Sequence, residues 1–248
     1  ERRRRGGGGA ANTAIPRACA GHEVAVVSAA GTDADGGTIL RRLAEAGIDT
    51  SPIARLPGPS TRSLVLVDET GERTVVNLHR CREAGPPRRL RTLPADAVYV
   101  RSRELDLGWI LAERLESSLV VAHVPPVVPG ARPAHVLVAS ASDLSREEAE
   151  RPWETLRRAG GEAVRHVVVT RGAGGAEAHA ADSVFRVPAR EAAAVDSTGA
   201  GDVFAAGLLH ALVSGAPMES ALRTAVAWGT AAVEHEGVPP RERIRALL

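Results

Sequence analysis

Residues 195–212, VDSTGAGDVFAAGLLHAL, set a Gly-Ala-Gly turn directly before an acidic residue and an apolar run. From Val203 onward Phe204, Leu208, Leu209 and Leu212 recur at helical spacing, so a helix is predicted with Asp202 in its first turn. The start of a helix has unpaired backbone N–H groups and a partial positive charge, which suit an anion, and glycines let a phosphate approach closely. Asp202 is the odd member of such a site. As a plain capping acid it would add only ~0.3–1 kcal/mol of dipole stabilisation.

The elements that must position this turn follow from hydrophobic patterning. The runs EVAVVS, SLVLVD, RTVVNL, AVYV, LVVAHV, HVLVAS and HVVVT read as strands, and amphipathic stretches fill many of the gaps. GGTILRRLAEAG places Ile39, Leu40, Leu43 and Ala44 on one face and stops at Gly47. Ser145 with Glu148 offers a capping box for the next helix, which Pro152 breaks or restarts. Continuous apolar strands separated by helices predict an α/β fold with a mostly parallel central sheet covered on both faces, and ligands bind beyond the carboxyl ends of such strands. Residues 60–78 depart from the rhythm: two strand runs joined by DETGE predict a hairpin, either a flap or an antiparallel edge pair.

Composition narrows the class. The 248 residues, 44% apolar, suffice for a large core. No run approaches the ~18–20 apolar residues of a membrane span, and no signal peptide is visible, so a cytoplasmic protein without membrane partners is expected. Cys19 and Cys81 lie far apart with no CxxC pattern, and the eight histidines lack metal-ligand spacing. All 31 basic residues are arginine, but 30 acids balance them to +1, and only 2% of residues are aromatic; both facts argue against nucleic acid.

Asp196 through Gly207 match the signature D-[ST]-T-G-A-G-D-x-F-x-x-G, and the chain thereby resembles the ribokinase-like (PfkB) family of carbohydrate kinases. Further matches follow in family order: GGGAAN (residues 7–12) resembles the N-terminal glycine-rich signature, GTDADGG (31–37) a G-x-D-x-x-G turn, and VVVTRGAGGA (167–176) a T-x-G-x-x-G nucleotide loop. The resemblance implies one three-layer α/β/α ribokinase-like (Rossmann-like) domain over residues 1–248 with a small β lid at 60–78. It implies phosphoryl transfer from ATP to a hydroxymethyl group of a sugar or sugar-like substrate, with Mg2+, room for a monovalent cation, and a homodimer.

By the same resemblance Asp202 is the general base, and backbone N–H groups of Gly199, Ala200 and Gly201 form the anion hole. Thr170, Gly172, Gly175 and Thr198 fall to the nucleotide; Gly7, Gly8, Asn12 and Asp33 fall to the sugar. Gly7 and Gly8 read equally as part of a glycine-rich tail, and Asp33 as an Asx residue shaping its turn. Trp228 falls on a helix face that packs near the adenine pocket in this family, with core packing its commoner role.

Three departures from the family pattern stand out. Typical members begin with a strand carrying an early Asp, which this sequence lacks. Where relatives have N-x-x-E near the magnesium, Ser140 replaces the Asn and Asp143 the Glu, which keeps a hard oxygen ligand on a shorter arm. Val226 stands where many relatives have Asn. Two further readings remain open: a non-catalytic relative acting as sensor or partner protein, favoured by the missing strand and Ser140, and a nucleoside kinase, disfavoured by the few aromatics.

Overall fold

The computed structural model describes residues 7–67 and 73–248, which divide into two compact units. One unit comprises Glu23–Pro87; the other joins Gly7–His22 to Arg88–Leu248. The first helix, α1 (Gly9–Cys19), belongs to the larger unit.

In the smaller unit, β1 (Ser28–Gly31) runs parallel to β2 (Ile53–Leu56), with α2 (Ala34–Glu45) between them in the chain. The ladder lies further along than the EVAVVS run suggests. Its partner starts only at Ile53, so the residues before Ser28 are held by a single bridge, Ala25 to Asp49. Leu43 of α2 is buried as expected, whereas Ala44 is exposed. The antiparallel pair β3 (Arg62–Val67) and β4 (Arg73–His79) forms a separate two-stranded ribbon. Its predicted turn, DETGE, lies outside the described residues. Leu64, Leu66, Val75 and Leu78 of the ribbon are exposed.

The larger unit is built on a six-stranded sheet whose frame is four valine-rich strands, β5 (Ala97–Val100), β6 (Leu119–His123), β7 (Val136–Ser140) and β8 (His166–Thr170), all parallel. Two antiparallel strands, β9 (Ala176–His179) and β10 (Val184–Val187), extend it in the order β10-β9-β8-β7-β6-β5. Alternate side chains serve opposite layers. Val121, Val136, Val138 and Val168 pack on one face against Phe204 and Leu208 of α6 (Ala200–Val213) and Leu222 of α7 (Met218–Val233). Val120, Leu137, Val167 and Val169 pack on the other against Leu111 of α3 (Gly108–Arg114) and Leu156 of α5 (Pro152–Gly160). This is the predicted three-layer arrangement. The capping box of Ser145 and Glu148 starts α4 (Arg146–Glu150), and Pro152 opens α5 where its missing N–H costs nothing. The last helix is α8 (Arg241–Arg245). Among the described residues no helix is long and apolar enough to cross a membrane.

Candidate functional site

The start of α6 is shaped by backbone constraints on the residues before it. The N–H groups of Val195 and Asp196 both donate to the carbonyl of Val233, and Asp196 Oδ1 accepts from the N–H of Thr198 at 2.8 Å, a side-chain-closed turn. Gly199 then takes φ 81°, a left-handed conformation that glycine adopts without strain, and α6 begins. The N–H of Ala200 bends back to Ser197 O at 3.3 Å. Those of Gly199 and Gly201 find no acceptor among the described residues. A Cβ at Gly201 would meet nothing within 4 Å, so the space before this helix end is open.

Asp202, 8% exposed, lies one residue further on. Its Oδ2 accepts from Asn12 Nδ2 at 3.0 Å, its Oδ1 from Arg101 Nε at 3.2 Å, and its backbone carbonyl from the Thr13 hydroxyl at 3.1 Å. Two motifs at opposite ends of the sequence thus meet at one carboxylate. Helix α1 is seated there by an apolar cluster in which Cys19 packs with Val203, Trp228 and Ile244. Gly8 leads into α1 at φ 126°, and a Cβ on Gly7 would stand 3.7 Å from Asn12 Oδ1. The close approach at Gly9 is tighter: a Cβ there would lie 2.5 Å from Arg101 Cγ.

Arg101 follows β5. Its Nη1 lies 2.9 Å from Nδ1 and 3.0 Å from Nε2 of His123, at the end of β6. Burial first, then the charges of Arg101, Arg103 and Arg132, pushes His123 down to about 3, so the ring is neutral. Arg132, fully buried, donates through Nη2 to the carbonyl of Ser102 at 2.7 Å and ties down the segment that carries Arg101. Tyr99, beneath Arg101 on β5, has its hydroxyl pushed up by burial and by the charge of Asp202.

Further along the same rim, register sets Ser140, ending β7, beside Thr170, ending β8. Thr170 Oγ1 donates to Ala139 O, and Ser140 Oγ shares a 2.8 Å hydrogen bond with Ser142 Oγ. Asp143 is exposed, and its carboxylate has no partner among the described residues. No group of three or more His, Cys, Asp or Glu gathers among those residues to hold a metal. A single free carboxylate still fits Mg2+, which keeps several waters and takes its remaining ligands from substrate phosphates. The turn after β8 holds Gly172 at φ 55° and Gly175 at φ 90°. A Cβ on Gly175 would lie 2.1 Å from Val187 O, so packing alone demands glycine there.

Asp33 belongs to the smaller unit, where its carboxylate is already engaged. It caps α2 through the N–H of Gly36 at 2.9 Å, accepts the Ser60 hydroxyl at 2.6 Å, and pairs with Arg62 at 3.3 Å. The Ser60 hydroxyl first, then the Gly36 N–H, lowers it to about 2. Its observed contacts are those of an Asx cap. Trp228 is fully buried against Gly207 and His210, and Val226 lies in the core under α7.

Thr13, Arg101, His123 and Arg132 are absent from the residues singled out by sequence. The available signal was position: Arg101 directly follows a parallel strand, where ligands bind, but one arginine among 31 basic residues carries no mark.

Comparison with known proteins agrees with this architecture. The sequence profile described as pfkB family carbohydrate kinase matches residues 1–91 and 122–242. The ATP-dependent ribose-1-phosphate kinase of Halopiger xanaduensis is 30% identical over 96% of this chain and 85% of its own length. The fructosamine kinase FrlD of Bacillus subtilis is 30% identical over 87% of this chain and 79% of its own. Among solved structures, Arabidopsis thaliana ribokinase, complexed with ribose and ATP, superposes with a TM-score of 0.81 at 21% identity, covering 97% of this chain and 86% of that one.

Proposed function

The chain belongs to the pfkB family of carbohydrate kinases, and from that premise we propose that it transfers the terminal phosphoryl group of ATP to a hydroxymethyl group of a sugar or sugar-like acceptor. The observation that carries this reading is the Asn12–Asp202 contact at the open start of α6, with Gly199 in its left-handed turn beside it. Phosphoryl transfer needs a positioned hydroxyl, a group to take its proton, and donors aimed at the moving charge. Asp202 accepts the proton as the acceptor oxygen attacks. A carboxylate has about four lone-pair sites, so the two bonds to Asn12 and Arg101 leave room for the hydroxyl.

The N–H groups of Gly199 and Gly201, joined by that of Ala200 once released from Ser197, stabilise the transferring group. Asn12 holds the carboxylate with its amide nitrogen and offers its amide oxygen to an acceptor hydroxyl, while Gly7 and Gly8 let the backbone close on the sugar. Thr170, Gly172, Gly175 and Thr198 serve the nucleotide side. Asp143 would hold Mg2+, which would supply neutralisation of phosphate charge. Asp33 serves the acceptor only if its capping bonds yield. The β3–β4 ribbon acts as the closing element, with a second copy of the chain covering its apolar residues.

The test is ADP release across a panel of sugars. Asp202→Asn should lower turnover by about 10²–10⁴ with ATP affinity largely kept. If no acceptor raises ADP release above its basal rate, the chain is a binding relative; if nucleosides outperform sugars, it is a nucleoside kinase.

A further inference from the structure

We infer that the acceptor is itself anionic, and that Arg101, assisted by Arg103, recognises its phosphate or carboxylate group. The inference rests on the reading of Asp202 as the base and names the substrate class of that same site. Arg101 contacts the carboxylate with Nε and the neutral ring of His123 with Nη1, while Nη2 has no partner among the described residues. Its side chain is 35% exposed. The guanidinium is therefore held at Nε and Nη1, and Nη2 is left to donate a charge-assisted hydrogen bond to a phosphate or carboxylate.

The surroundings raise the positive charge further. Arg103 is exposed and has neither a hydrogen bond nor an ion pair among the described residues. Arg132 holds the intervening Ser102 carbonyl from beneath, so both guanidinium-bearing positions leave a tethered segment. A neutral His123 supports Arg101 without adding a competing cation.

Sheet order assigns this charge to the acceptor rather than to ATP. Arg101 leaves β5, three strand positions from the Thr170 turn after β8, about 14 Å at ~4.8 Å per strand. Its stem crosses Gly9 and reaches the same carboxylate as Asn12, the residue read as holding acceptor hydroxyls.

The experiment compares wild type, Arg101→Gln and Arg101→Lys. Calorimetric titrations use ribose 1-phosphate, glucose 1-phosphate and gluconate, each with its hydroxymethyl group free, against ribose and glucose, and initial rates are measured with the same compounds. Wild type should prefer anionic acceptors over neutral ones, and Arg101→Gln should lower that preference about 10- to 100-fold, the range for losing a charge-assisted bond. Arg101→Lys should fall between. Gluconate and the phosphate esters separate carboxylate from phosphate as the recognised group.

Three outcomes overturn the inference: no wild-type preference for any anionic probe, equal losses for charged and neutral compounds, or a variant effect confined to the KM for ATP. The binding arm keeps the two readings apart. Selective loss of anion binding in a chain that phosphorylates nothing would uphold Arg101 and refute the kinase reading.

Discussion

The side-chain amide of Asn12 donates to Oδ2 of Asp202 across 190 positions of sequence. It does so beside Gly199, where any side chain would press on it: a Cβ would stand 2.9 Å from Asn12 Nδ2. Asn12→Asp replaces that donor with a like charge, and two adjacent carboxylates resist ionising together. The acidic limb of the pH–rate profile should move to higher pH, with Asn12→Ala losing about tenfold in kcat/KM without that shift. A profile unchanged in Asn12→Asp would dissociate Asn12 from the chemistry.

Gly199 and Gly201 should respond differently to the same small change. Gly199→Ala meets both an unfavourable φ and the Asn12 side chain, so stability should drop by about 1–2 kcal/mol in chemical denaturation. Gly201 is already helical and faces open space, so Gly201→Ala should keep or slightly raise Tm. Any loss of ATP affinity or transfer rate in Gly201→Ala then reports a ligand occupying that space. Full activity in this variant would show that no ligand atom fills the space beside Gly201, with its backbone N–H still in place as a donor.

Acid should destabilise the fold through histidines kept neutral. Burial holds His123 down to about 3; burial, then Arg17 and His210, holds His22 down to about 4, against an unfolded value near 6.5. Between those values the unfolded chain binds more protons, so stability is complete above about pH 6.5 and declines as pH falls toward 3–4. For buried His123 the slope reaches about 1.4 kcal/mol per pH unit. Half-exposed His22 adds less. Urea midpoints at pH 7 and pH 5 measure the decline, and His123→Asn should flatten it.

The ribbon can be removed without touching Asp33 if its boundary is drawn with care. Ser60 is buried and bonds both Asp33 and the N–H of Gly31, so it is part of the frame rather than of a flap. Replacing residues 64–76 with a short Gly-Ser linker should leave a cooperative thermal transition. If the ribbon closes over substrate, the acceptor KM should rise and ATP hydrolysis should grow relative to transfer. Unchanged KM and coupling would reduce it to surface decoration.

How much of this was legible depends on how local each signal was. The strands of the parallel frame announce themselves because burial on both faces demands unbroken valine runs such as VVAH and HVVVT. The helix boundaries at Ser145 and Pro152 are equally local, set by one capping pair and one ring. By contrast β9, with the sequence AEAH, has little β propensity and is a strand only because β8 and β10 flank it. Motif spacing singled out Asn12 and Asp202, but their contact is a tertiary fact. Arg101 was hidden altogether, since an arginine's role depends on what faces it, and Gly9 explains itself only once the Arg101 stem lies across it. Gly175 carries a second constraint that its motif does not show: a Cβ there would meet the backbone of Val187, Pro188 and Ala189, a contact visible only in the fold.

The seating of α1 against α6 has a consequence for the chain as it is made. Helix α1 leaves the ribosome 190 positions ahead of the carboxylate it must hold. At ~5–20 residues per second, Asn12 waits about 10–40 s for Asp202 to be synthesised. Throughout that interval the apolar side of α1, including Cys19, has none of its partners Val203, Trp228 or Ile244. A nascent chain stalled before α6 therefore exposes this helix to chaperones and carries no assembled acid–amide pair, so capacity for chemistry arrives only with the final helices.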